Sequence, residues 1–138
     1  MARATVRGVI FSDLGEARRF MALEWVKRAI ERSVGFVPYP GTLNLALRAE
    51  RDRAAWRDVK ERFAAVEIPP PDSSFCAARL YPARIVAAGA AETELPAAVL
   101  LPRVAGYPED KIEVIAGASV KETLGVEDGD ALVIEFVA

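Results

Sequence analysis

The chain has 138 residues, 52% of them hydrophobic and 28% charged, with a net charge of −2, which is the make-up of one folded domain over 1–138 with its own core, not of a disordered or fibrous chain. It contains no histidine and a single cysteine, Cys76, which excludes Ser-His-Asp and Cys-His catalysis, histidine metal sites, intrachain disulfides and thiolate-rich zinc sites. No apolar run approaches the roughly 18 residues of a bilayer span, and none follows Met1 as in a signal peptide, so a cytoplasmic location is expected.

Residues Thr5–Phe11 read as a first strand, and Ser12–Ala17 as a loop that opens a helix. In that helix Phe20, Leu23, Val26, Ile30 and Val34 recur at the spacing of one buried face, and Gly35 ends it. A turn-dense run, Gly35-Phe-Val-Pro-Tyr-Pro-Gly-Thr-Leu-Asn-Leu45, then feeds a strand over Thr42–Leu47. Trp56, Val59, Phe63 and Val66 return to helical spacing until Pro69-Pro-Pro71, where a surface crossing is expected. From Phe75 onward the pattern is β: Phe75–Val86 with a break expected at Pro82, then Leu95–Leu101, Ile112–Ala116, and a last strand in which Leu132, Ile134 and Phe136 alternate. A short helix near Ser119–Leu124 interrupts these strands, and Asp128-Gly129 makes a tight turn, a structural signal first. Trp25, Trp56 and Cys76 read as packing residues. Short strands separated by turns fit a small closed barrel with peripheral helices better than a parallel α/β sheet.

Charge is unevenly placed. Residues 1–69 carry 13 basic and 9 acidic side chains, whereas residues 70–138 carry 5 and 11. A polyanion would find its counter-charge in the first half, around Arg3, Arg7, Arg18, Arg19, Lys27 and Arg28. Arg48, Arg51, Arg53, Arg57, Lys60 and Arg62 alternate with acids as on a solvated helix face. No nucleic-acid partner is expected, because the pI is near 5.3 and aromatics do not interleave with the basic cluster.

Chemistry is most legible at Thr42 and Asn44. Side chains two apart on a strand share a face, with α-carbons roughly 6.6 Å apart, and Leu43, Leu45 and Leu47 then take the other face. A threonine hydroxyl and an asparagine carbonyl are hard, neutral oxygen donors, suited to a magnesium ion that keeps waters and touches substrate phosphates. The local pattern also fits two solvated strand residues after a Pro-Gly turn.

The order Gly8-Val-Ile-Phe-Ser-Asp-Leu-Gly-Glu16, the Pro38-Tyr-Pro-Gly-Thr-Leu-Asn-Leu45 run, Ile112-Glu-Val-Ile-Ala116 and Glu127-Asp-Gly-Asp130 resembles the CTP-dependent riboflavin kinases, known mainly from archaea, over nearly the whole chain. The resemblance implies a six-stranded cradle-loop barrel that uses CTP as phosphate donor and Mg2+ to phosphorylate riboflavin to FMN. A winged-helix domain that some members carry before the barrel is not expected here. Residue by residue, the resemblance implies that Thr42 and Asn44 hold magnesium. Asp13, Leu14, Gly15, Glu16, Ala17 and Arg18 then form the nucleotide loop, where amides near a helix N-terminus can cradle phosphates, and Ala118, Ser119, Val120 and Lys121 form a second nucleotide-contacting stretch. Glu113 matches a flavin-contacting glutamate that accepts hydrogen bonds from substrate hydroxyls and can assist deprotonation of the attacking one. The alternative for Glu113 is an exposed strand residue.

The departures from the family pattern concern the same places. The family loop reads Ser-Gly-Leu-Gly-Glu-Gly, whereas here Asp13 and Ala17 replace two glycines, which narrows the backbone and sets a negative charge near the phosphates. Ala105 stands where a threonine of the acceptor pocket is expected, Gly117 where a proline is, and Lys121 where an arginine is, without the arginine fork. Two other readings follow: a flavin- or nucleotide-binding barrel without transfer chemistry, and a diverged kinase for another hydroxylated metabolite.

Overall fold

The structure is a computed structural model that describes residues 2–12, 24–70 and 77–137. Expectations for Asp13–Arg18, for Phe20, Leu23, Phe75 and Cys76, and for Pro71 lie outside the described residues. The described elements are strand β1 (Arg3–Phe11), helix α1 (Glu24–Val34), β2 (Leu43–Ala46), α2 (Glu50–Arg62), β3 (Val66–Ile68), β4 (Ala78–Ala88), β5 (Ala91–Pro102), β6 (Lys111–Ala116), α3 (Val120–Leu124) and β7 (Ala131–Val137).

All strand pairings are antiparallel, in the order β3-β4-β5-β6-β2-β1-β7, and a further β4–β7 pairing closes β4, β5, β6, β2, β1 and β7 into a six-strand ring. The expected barrel is therefore present, with β3 added as a seventh strand on the outer flank of β4. Closure removes the unpaired edges that an open sheet of this size would expose.

Alternation decides what each strand buries. Val6, Ile10, Leu45, Ile85, Val99, Ile112, Val114, Ile134 and Phe136 form one cluster, which Trp56 and Val59 of α2 complete. Trp56 meets Tyr81 edge-on at 5.4 Å between ring centroids, a favourable aromatic geometry. The intervening residues face outward, where Leu80, Ala98, Leu100 and Ile115 pack beneath Val26 and Ile30 of α1. Helix α1 ends at Gly35, whose φ of +83° suits glycine and whose amide donates to the Glu31 carbonyl at 2.9 Å. Helix α2 is tied to β1 by buried Asp52, which accepts the Arg7 amide at 2.9 Å, and on its solvated side Glu50 pairs with Arg53 and Arg57.

Two sequence expectations are corrected. Helix α2 stops at Arg62, Phe63 is extended, and Val66 opens β3 instead of continuing the helical face. Its partner is Leu80 of β4, and a pairing across the fold is invisible to helical spacing. Pro82 does not break β4. On one side β4 pairs with β3 through Ala78–Leu80 and with β7 only from Ala83 onward, so Pro82 sits at a local edge where a missing N–H costs least.

Candidate active site

Strands β2 and β6 position the site. Asn44 lies directly opposite Glu113 in their register, and Leu43 opposite Val114. Because Leu45, Ile112 and Val114 turn into the ring, Thr42, Asn44 and Glu113 share the outward face, as the spacing of Thr42 and Asn44 predicts. Phe11 at the end of β1 pairs with Asn44 on its other side. The loop leading to Thr42 is pinned by the Tyr39 amide, which donates to the Ala116 carbonyl at 2.8 Å.

These residues line one cavity of about 640 Å³, together with Tyr39, Val104, Tyr107, Lys111 and the Ala118–Lys121 stretch. Glu113 is the one carboxylate among the described lining residues and is only 6% exposed, not the exposed strand residue of the alternative reading. Burying a carboxylate is costly unless donors meet it. The Thr42 hydroxyl donates to Oε1 of Glu113 at 3.0 Å, and the Tyr107 hydroxyl donates to Oε2. Asn44 differs: its Oδ1 is buried and has no hydrogen-bond partner among the described residues. An orphaned carbonyl oxygen beside a hydroxyl and a carboxylate is the donor set of a hard cation. Mg2+ fits these residues. With one carboxylate in reach, such an ion would take its other ligands from water and substrate phosphates, and among the described residues no cluster of three His, Cys, Asp or Glu side chains forms a closed protein cage.

The other end of the cavity is built by α3 and the turn before β7. Ser119 caps α3, its hydroxyl accepting the Glu122 amide at 3.4 Å, and Gly125 ends the helix in the left-handed conformation. Lys121 Nζ lies 2.8 Å from Asp128 Oδ1, and the Ser12 hydroxyl donates to Asp128 Oδ2 at 2.5 Å. The hydrogen bond from Lys121, then that from Ser12, holds the Asp128 carboxyl below the usual carboxylate range. The Asp128-Gly129 turn is itself fixed to β1, since Gly129 N donates to the Ile10 carbonyl and Ile10 N to the Asp130 carbonyl, each at 2.9 Å. The turn is thus structural, as expected, and it also joins the end of β1 to Lys121.

Of the sequence-predicted residues, Thr42, Asn44, Glu113, Ala118, Ser119, Val120 and Lys121 come together around this cavity. Ala105 does not line it and is exposed in the turn between β5 and β6. Tyr107, two residues on, does line it, and it was missed because nothing local in Gly106-Tyr-Pro108 marks a partner six residues away.

The fold and site define a small closed antiparallel barrel whose cavity carries the oxygen donors Thr42, Asn44 and Glu113 at one end and Lys121 at the other. The family model CTP-dep_RFKase, described as domain of unknown function DUF120, matches residues 10–136, and the chain belongs to this family. Relatives named riboflavin kinase include those of Methanoregula boonei, 35% identical over 95% of this chain and 56% of the relative, and Saccharolobus solfataricus, 33% identical over 94% and 72%. A third, from Pyrobaculum calidifontis, is 38% identical over 93% of this chain and 58% of the relative. The chain thus spans little more than half of the first and third of these proteins.

Proposed function

We propose that the protein transfers the γ-phosphoryl group of CTP to riboflavin, giving FMN and CDP with the help of Mg2+. The observation that carries this reading is the partnerless Asn44 Oδ1 beside Thr42 and Glu113, in a cavity that belongs to a riboflavin kinase family. Thr42 and Asn44 would hold Mg2+, which would supply positive charge against the charge that develops on the transferring phosphoryl group. Lys121 supplies a positive charge for phosphate, and Ala118, Ser119 and Val120 the surface beside it. Asp13–Arg18 are assigned to the nucleotide as well. Glu113 accepts hydrogen bonds from the ribityl hydroxyls and stands ready to take the proton of the attacking one, whose oxygen bonds to phosphorus as the bond to CDP breaks. The flavin end is bounded by the β5–β6 turn, which carries Ala105.

The test is FMN formation by purified protein from riboflavin with each of the four nucleoside triphosphates, with and without Mg2+. Metal-dependent product with CTP supports the reading. Absence of FMN under every condition refutes it, and riboflavin binding without product would leave a binding barrel.

A further inference from the structure

We infer that Tyr107 is the positioning residue of the acceptor end, holding Glu113 so that the site selects an acceptor by its hydroxyl-bearing chain and not by its ring. The inference rests on the riboflavin reading above. Glu113 receives two donors from opposite sides, Thr42 on Oε1 and Tyr107 on Oε2. Two such bonds fix both the position and the rotation of the carboxylate plane, which one bond would not. Each carboxylate oxygen can accept a second hydrogen bond, so the lone pairs left over point in set directions. A substrate hydroxyl that meets them is recognised by direction as well as by distance.

Tyr107 is itself held. It is half-buried, and Lys111 Nζ lies 5.5 Å from its ring centroid, in the range of a cation–π contact. The loop that carries it is anchored at both ends: Arg103 N donates to the Ala77 carbonyl at 2.9 Å, and Leu47 N to the Asp110 carbonyl at 2.7 Å. Gly106, at φ +76°, makes the turn between exposed Ala105 and Tyr107. Position 107 thereby brings a hydroxyl to an end of the cavity that exposed Ala105 does not line. Val104 and Tyr39, exposed by 42% and 47%, offer apolar surface at the cavity for a flat ring, and this contact does not depend on the Tyr107 hydroxyl.

The experiment compares riboflavin with lumiflavin, which keeps the ring system but carries a methyl group in place of the ribityl chain. Tyr107→Phe removes the hydroxyl alone. It is expected to weaken riboflavin binding about tenfold, as loss of a donor to a charged group does, to raise the KM for riboflavin in step, and to leave lumiflavin and nucleotide binding unchanged. Glu113→Gln, which keeps the side-chain shape, should reproduce the selective loss and guards against a folding defect in the first variant. Equal weakening of both flavins, or unchanged riboflavin binding, overturns the inference. Wild-type protein that binds riboflavin but makes no FMN sinks only the kinase reading, since the binding comparison still decides the role of Tyr107. Wild-type protein that binds neither flavin overturns both.

Discussion

Replacing Asn44 by leucine should make the ligand-free protein more stable while destroying its response to metal and nucleotide. Asn44 Oδ1 is shielded from water and makes no hydrogen bond within the described residues. A buried polar atom left in that state costs about 1–3 kcal/mol, and an apolar side chain of similar shape removes the penalty. For a chain of 138 residues the unfolding entropy is about 0.3 kcal/mol/K, so relief of about 1 kcal/mol raises Tm by about 3 °C. The wild-type protein behaves in the opposite way once ligand is added. A ligand present at about a hundred times its Kd stabilises the folded state by about 2.7 kcal/mol, or about 9 °C on the same scale. Scanning calorimetry of both proteins, alone and with Mg2+ and CTP, reads all four states. The expected pattern is a crossing, with the variant the more stable alone and the wild type the more stable with ligand. A ligand-free variant that melts below wild type would show that Asn44 is satisfied in solution and is no cation ligand. A variant that still gains stability from Mg2+ and CTP would remove Asn44 from that site.

Other expectations follow from single contacts. A Cβ built on Gly8 would stand 2.7 Å from the Leu45 Cβ, so Gly8→Ala forces β1 and β2 apart and should cost about 1–3 kcal/mol in urea unfolding; an unchanged midpoint would mean that the ring tolerates the shift. Because Lys121 and Ser12 hold the Asp128 carboxyl below its ordinary value, the Ser12–Asp128–Lys121 contact should be fully formed above the unfolded-state value of about 4 and be lost as the pH falls through the depressed one. In a carboxyl-carbon NMR titration the Asp128 midpoint should therefore lie below that of a free aspartate and move up toward it in Lys121→Ala. A midpoint that stays put would show that Lys121 does not hold this group in solution.

Most of the ring was legible as short apolar runs between turns, and its last strand by a strict two-residue period. Leu132, Ile134 and Phe136 alternate in the sequence and are buried in the structure, and the glycines at 35 and 129 stand where the chain takes positive φ. The misreadings occurred where a partner distant in sequence decides. Val66 satisfies a helical spacing with Trp56 and Phe63, but strand β4 offers it a ladder, and tertiary pairing overrides local period. Pro82 looks like a break because a proline lacks an N–H, yet only the closed topology shows that it stands between the β3 and β7 pairings.

The same division runs through the site. Thr42 and Asn44 could be set on one face by counting residues, since two steps along a strand always return to the same side. The structure adds what counting cannot supply, namely the register that places Glu113 opposite Asn44 and leaves the Asn44 oxygen without a hydrogen bond. An asparagine oxygen in the open would be solvated; this one is shut in beside a hydroxyl and a carboxylate, the combination on which the proposed cation role rests. Asp128 was legible as half of an Asp-Gly turn and nothing more, because its contact with Ser12 depends on the pairing of β1 with β7, and that with Lys121 on how α3 folds back onto the turn. Local chemistry thus named the donors, and the role proposed for them depends on which the closed ring leaves unpaired.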